Sequence, residues 1–102
     1  MIIVEGQARL APGEMDRLKG AMRAQIEASR AEAGCLEYAY SADVLDPDVM
    51  RIIEKWESRD ALEAHFKSPH MVAFNAAFRA AKVLSIKVDA WSAEHSRTLL
   101  GG

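Results

Sequence analysis

The chain reads as an α+β domain in which strand and helix patterns follow the order β-α-β-β-α-β. Three observations carry that reading. Met15, Leu18, Met22 and Ile26 recur at steps of three and four, the spacing of one helix face. Two loosely alternating runs flank Asp46-Pro47-Asp48, a proline-centred turn, and so pair as antiparallel strands. Alternating runs also open and close the chain, at residues 2–10 and 85–95. This order is the split βαβ of ferredoxin-like folds, an antiparallel sheet with helices on one face.

Each element has its own signal. Ile2-Ile3-Val4 begins the first strand, and Ala11-Pro12-Gly13 ends it. Pro12 suits the start of a helix, where its missing N–H has no intrahelical partner to lose. The apolar stripe continues through Ser29 to Ala33, with Arg17, Lys19, Arg23, Glu27 and Arg30 mostly outside it. Gly34 then terminates the helix, as glycine commonly does just past a C-terminus. Residues 35–45, with Tyr38 and Tyr40, form the second strand, and residues 49–57 the third. On the third strand Met50, Ile52, Glu54 and Trp56 share one face; Val49, Arg51, Ile53 and Lys55 share the other. Ser58 caps a short helix to about Phe66, with Asp60 at its positive end. Ser68 and Pro69 restart the helix, with Met71, Phe74, Phe78 and Ala81 as its buried stripe. In the last strand Ile86, Val88 and Ala90 alternate with Lys87, Asp89 and Trp91. Residues 1–96 form one domain and 97–102 a short tail.

Composition removes several function classes. The 102 residues suit a single core. Thirteen basic and 15 acidic residues are interspersed, without the basic patch of a nucleic-acid binder. Cys35 is alone, which excludes an intrachain disulfide and a cysteine-based zinc site; without an activating neighbour it reads as an inert thiol. No apolar run approaches the ~20 residues that span a bilayer, and the start lacks a signal-like segment. A cytoplasmic protein with no membrane partner is expected. Apolar residues of both parities in the first and third strands imply that neither sheet face is fully wet. A second copy is the simplest cover, giving a homodimer whose open sheets face each other as an α+β barrel. Arg51 then either pairs across the dimer with Glu37 or Asp89 or is solvated.

Residues 34–71 concentrate the chemistry. Trp56 ends a strand, His65 and His70 stand five residues apart across the helix break, and Tyr38 and Tyr40 point the same way. Polar groups converging on an aromatic wall suit a small organic ligand. Either histidine can act as a base near neutral pH, and either can equally be a structural hydrogen-bonding residue. Trp56 serves as a stacking wall or a core residue, the tyrosines as ligand contacts or interface residues. A metal needs a third ligand, such as Glu54 or Glu63, and no recognised spacing supplies one, so none is expected.

Gly34-Cys35 with Tyr38, Asp46-Pro47, Glu54-x-Trp56-x-Ser58, Leu62, His65, Ser68-Pro69-His70 and Phe74 together resemble the antibiotic biosynthesis monooxygenase (ABM) family, over about residues 1–95. The likeness is to its small stand-alone members, dimeric α+β barrels that include cofactor-independent quinol monooxygenases. It implies oxidation of a small aromatic or quinol by O2 with no cofactor. His65 or His70 would be the catalytic base, and Trp56, Tyr38, Phe66, Phe74 and Asn75 would bind substrate. A haem-degrading branch of similar scaffolds carries an axial histidine near the position of Asn75, so the resemblance does not extend to haem chemistry. Two other classes fit the same scaffold: a dimeric binding or stress-response module, and an isomerase or lyase.

Overall fold

The computed structural model describes residues 1–102 as seven elements: β1 (Ile2–Leu10), α1 (Glu14–Arg30), β2 (Cys35–Ala42), β3 (Val49–Trp56), α2 (Arg59–Phe66), α3 (Pro69–Ala80) and β4 (Val83–Ser92). The strands form one sheet in the order β2-β3-β1-β4, every neighbouring pair antiparallel. This is the ferredoxin-like arrangement, with the second helix divided into α2 and α3 where Ser68 and Pro69 break it. No helix is long and apolar enough to cross a membrane.

Register sets out the floor on which everything else is built. Tyr38, Glu54, Val4 and Ala90 occupy one row across the four strands, and Tyr40, Ile52, Gly6 and Val88 the parallel row. Above these rows sit two buried clusters. Ala8, Leu10, Leu18, Met22, Met50 and Phe74 join the sheet to α1 and α3. Val4, Tyr38, Trp56 and Leu62 join it to α2.

Two hydroxyl caps fix the helix break. Ser58 accepts a hydrogen bond from the Ala61 N–H, and Ser68 from the Met71 N–H, each satisfying a donor that the first helical turn leaves free. Pro69 occupies the first turn of α3, where no N–H is required.

The first helix departs from expectation at both ends. Its N-cap is Gly13 in the left-handed region (φ 87°), so Pro12 lies in the preceding turn. It stops at Arg30, short of Ala33: the Ala31 N–H reaches the Ala28 carbonyl and the Glu32 N–H the Ser29 carbonyl, tightening the last turn and releasing the Glu32 side chain from the helix face. Gly34 is still required, for a different reason. It has φ +82°, and a Cβ there would stand 2.6 Å from the Ala61 Cβ, so it permits the close approach of α2. The helix face that α1 buries includes Glu14 and Gln25 beside Leu18, Met22 and Ser29.

Strand limits move slightly as well. β2 stops at Ala42 because Asp43 turns aside, its carboxylate taking Arg51 at 2.9 Å. Within the chain that bond gives Arg51 a partner the sequence did not suggest, Asp43. β4 begins at Val83, where a register shift beside Leu10 lets the strand start early.

Candidate active site

Between the sheet and α3 lies a cavity of about 280 Å³. Its floor is the pair of rows described above, with Tyr38 and Glu54 from one and Tyr40 and Ile52 from the other. Phe66, at the end of α2, and Met71, Phe74, Asn75 and Phe78 of α3 form its roof. Ile86 and Val88 on β4 border it and remain 54% and 42% exposed, so the β4 side is open. Aromatic packing makes the wall continuous: Tyr40 stacks on Phe74 at 5.4 Å, and Phe74 on Phe78 at 5.7 Å.

Glu54 is the acidic group buried in this wall. It is 7% exposed, and the Trp56 indole N–H donates to its Oε1 at 2.9 Å. Burial raises its pKa above the ordinary carboxylate value; the Trp56 hydrogen bond and the nearby His65 pull the other way, and Glu32 adds to the rise. Asp89 also borders the cavity, but from the outer strand, facing Lys87 at 3.6 Å. The phenols beside Glu54 are linked: the Tyr38 and Tyr40 hydroxyls lie 2.6 Å apart, and the Gln25 amide donates to Tyr38 at 3.2 Å. Burial, then the Glu54 charge, pushes Tyr38 up to about 12. Tyr40 is raised as well, chiefly by burial and then by Tyr38. Both phenols are therefore neutral at physiological pH, and one donates to the other.

Behind Trp56 lies a second polar cluster. His65 is fully buried, its ring 4.7 Å from the Trp56 ring and 5.3 Å from Tyr38. Its Nδ1 is 2.7 Å from Glu32 Oε1, and its Nε2 has no partner. His70 Nε2 contacts the same Glu32 oxygen and lies 3.1 Å from the Ser68 hydroxyl. Three segments thus meet at Glu32: the turn after α1, the last turn of α2 and the first turn of α3. A larger groove, about 380 Å³, runs over Met22 and Ile26 of α1 toward Tyr40, but its charged rim is already paired, Lys19 with Asp16 and Arg23 with Glu27.

The family model for antibiotic biosynthesis monooxygenases matches residues 1–77. The chain belongs to this family. The probable quinol monooxygenase YgiN of Escherichia coli is 32% identical over 89 residues, covering 78% of this chain and 86% of that protein. An uncharacterised Synechocystis protein is 30% identical over 73 residues, 72% of this chain but 50% of its own length, so the chain spans half of that relative. Among solved structures, a Deinococcus radiodurans protein named for the same family has a TM-score of 0.90 at 26% identity, covering 99% of this chain and 100% of that one. A Pseudomonas aeruginosa protein has a TM-score of 0.81 at 31% identity, covering 92% and 94%.

In this ABM-family chain the residues singled out from sequence divide into two groups. Tyr38, Phe66, Phe74 and Asn75 line the cavity, whereas Trp56, His65 and His70 do not. The two histidines do converge, with ring centroids 5.8 Å apart, but on Glu32 and away from the cavity. The carboxylate that joins them is neither Glu54 nor Glu63. Sequence reasoning passed over Glu32, Gln25 and the cavity-facing role of Glu54. Only Glu54 carried a signal: a carboxylate in the otherwise apolar row Met50, Ile52 and Trp56.

Proposed function

We propose that this ABM-family chain is a cofactor-independent monooxygenase that oxidises a small electron-rich aromatic, a phenol or quinol, with O2. The observation that carries the reading is Glu54: a buried carboxylate of raised pKa facing an aromatic cavity of about 280 Å³. That volume sits near the lower end of ligand sites, about 300–1,000 Å³, and suits a molecule of one or two rings. The name of the relative YgiN points to quinols.

Glu54 takes the phenolic proton, and its raised pKa makes it a stronger base than an exposed glutamate. The substrate anion supplies the electrons to O2, and a C–O bond forms at a ring carbon, ortho or para to that oxygen, that bears hydrogen. That carbon then loses its proton as the O–O bond breaks. One oxygen atom stays as the second quinone carbonyl, and the other leaves as water with the proton Glu54 returns. The one O–H of the Tyr38–Tyr40 pair not used between them and the Asn75 amide donate hydrogen bonds to the developing anion, while Phe66 and Phe74 stack on the ring and exclude water. Glu54 thus takes the base role that the histidine motif suggested. Trp56 holds the carboxylate by its indole N–H, and His65 and His70 brace the floor from behind.

The reading includes a cytoplasmic homodimer. Ile3, Ile53 and Ala39 are half-buried and Trp91 is 56% exposed on the sheet face away from the helices, an apolar strip suited to a second sheet. Light scattering of wild type and Ile53→Asp tests it: a dimer that the aspartate dissociates is expected, and a monomeric wild type at micromolar concentration rejects it. Oxygen uptake with a panel of one- and two-ring quinols tests the activity. Consumption matched one-to-one by a quinone that carries one oxygen atom from O2, without release of hydrogen peroxide, is expected. No uptake with any member, together with an unchanged ligand that co-purifies, makes the chain a binding module instead.

A further inference from the structure

We propose that Glu32, His65 and His70 form a site for one divalent transition-metal ion of the zinc class, placed behind Trp56 and separate from the cavity. Two imidazole nitrogens and a carboxylate oxygen are a donor set such ions favour, and three protein ligands leave a position for water. Glu32 Oε1, His65 Nδ1 and His70 Nε2 all lie within 4.8 Å of one another. Donors at ~2 Å from a tetrahedral ion stand about 3.3 Å apart, so side-chain adjustment within the cluster is enough. Both rings already meet the same carboxylate oxygen, so the three atoms aim at one point although they come from three segments.

The scaffold around that point is fixed by contacts that need no ion. The Ser68 hydroxyl donates to the His65 carbonyl at 2.7 Å and accepts the Met71 N–H at 3.2 Å, which locks the end of α2 to the start of α3. In the turn after α1, the Glu32 N–H reaches the Ser29 carbonyl and the Glu32 carbonyl accepts the Cys35 N–H. Access is one-sided. The His65 side chain is 1% exposed, against 16% for Glu32 and 23% for His70. A hollow of about 110 Å³, lined by Gln25, Ala21 and Ala24, lies beside His70. Trp56 and Tyr38 stand between His65 and the cavity, so the ion does not meet a ligand bound there. Its effect is to tie the α1–β2 turn to α2 and α3, adding stability when bound.

Metal affinity is read without turnover, so the inference stands or falls independently of the monooxygenase reading. Tag-free protein stripped with a chelator is titrated with Zn2+ by calorimetry and with Co2+ by visible absorption. One ion per chain is expected, and Zn2+ at ~100 times its Kd raises Tm by roughly 10 °C or more. Glu32→Gln and His70→Ala, at partly exposed side chains, are expected to weaken binding by at least about 100-fold; His95→Ala, which changes the tail histidine, binds as wild type. His70→Gln replaces either variant that circular dichroism shows to be misfolded. Wild type that takes up neither ion at one per chain overturns the proposal. So do Glu32→Gln and His70→Ala variants that bind as tightly as wild type.

Discussion

On one side of Trp56, Glu54 has a single hydrogen bond from the protein and faces a cavity; on the other, Glu32 is shared by two histidines in a cluster that joins three segments. Both carboxylates are largely buried, both lie near imidazole, and both touch elements that meet at the same corner. They differ in what surrounds the second oxygen. Glu54 keeps part of its carboxylate toward a space of ligand size, so its proton can be exchanged with a bound molecule. Glu32 spends its contacts on joining helices. Proximity of acid and base residues therefore does not locate reactivity; an unfilled position beside one of them does.

The sharpest way to break this comparison is to exchange one residue on each side. Glu54→Gln is expected to lower kcat for quinol oxidation by ~10²–10⁴, the usual loss for a general base, with the fold intact by circular dichroism. His70→Ala, on the other side, is expected to leave kcat within about three-fold, because it has no contact with the cavity. A His70→Ala variant as inactive as Glu54→Gln would reverse the assignment and restore the histidine as base.

Trp56→Ala removes the partition itself. Trp56 is fully buried and packs on Tyr38 and His65. Its loss is expected to cost about 3–5 kcal/mol of stability, measured by urea unfolding. A cost below about 1 kcal/mol would mean that the two regions are not held apart by this side chain.

The smallest effect sharpens the electrostatic half. Glu54 has a raised pKa in the fold, against 4.5 for an ordinary glutamate. The groups facing it are Trp56 on its own strand, Tyr38 and Tyr40 on β2, His65 on α2 and Glu32 in the α1–β2 turn. The folded state thus holds this proton more readily than the unfolded chain does. Its stabilising contribution is complete below the unfolded value and is lost as pH rises through the folded one. Glu54→Gln should flatten that decline, and thermal melts of both proteins between about pH 4 and 8 will show it. Parallel curves would place the raised pKa elsewhere. Activity runs in the opposite sense, falling in acid as Glu54 gains its proton.

Much of the fold was legible because its signals are local. Ser58, Ser68 and Pro69 mark helix starts by hydrogen-bond chemistry that needs no tertiary context, and Asp46-Pro47-Asp48 marks its turn in the same way. The cavity walls were partly legible, since strand parity puts Tyr38 on the helix side and helix period puts Phe74 toward the sheet. The histidine cluster was not. Its third member, Glu32, precedes His65 by 33 positions and reaches it only because α1 stops at Arg30 and frees the turn. Gln25 was hidden by the opposite effect, a polar side chain inside a stripe read by its apolar neighbours. Its amide finds Tyr38 and Met71 where the helix buries it.

The break at Lys67–Ser68 makes this surface segment intolerant of changes in length. Loops of this kind ordinarily accept insertions and deletions. Here one added or deleted residue that followed the helical path would turn α3 by about 100° relative to α2. His70 would swing off Glu32, and Phe74 would leave the cavity roof in the same movement. Natural variation and engineering at this corner should therefore proceed by substitution at fixed spacing, with the five-residue interval from His65 to His70 kept even where the intervening side chains change.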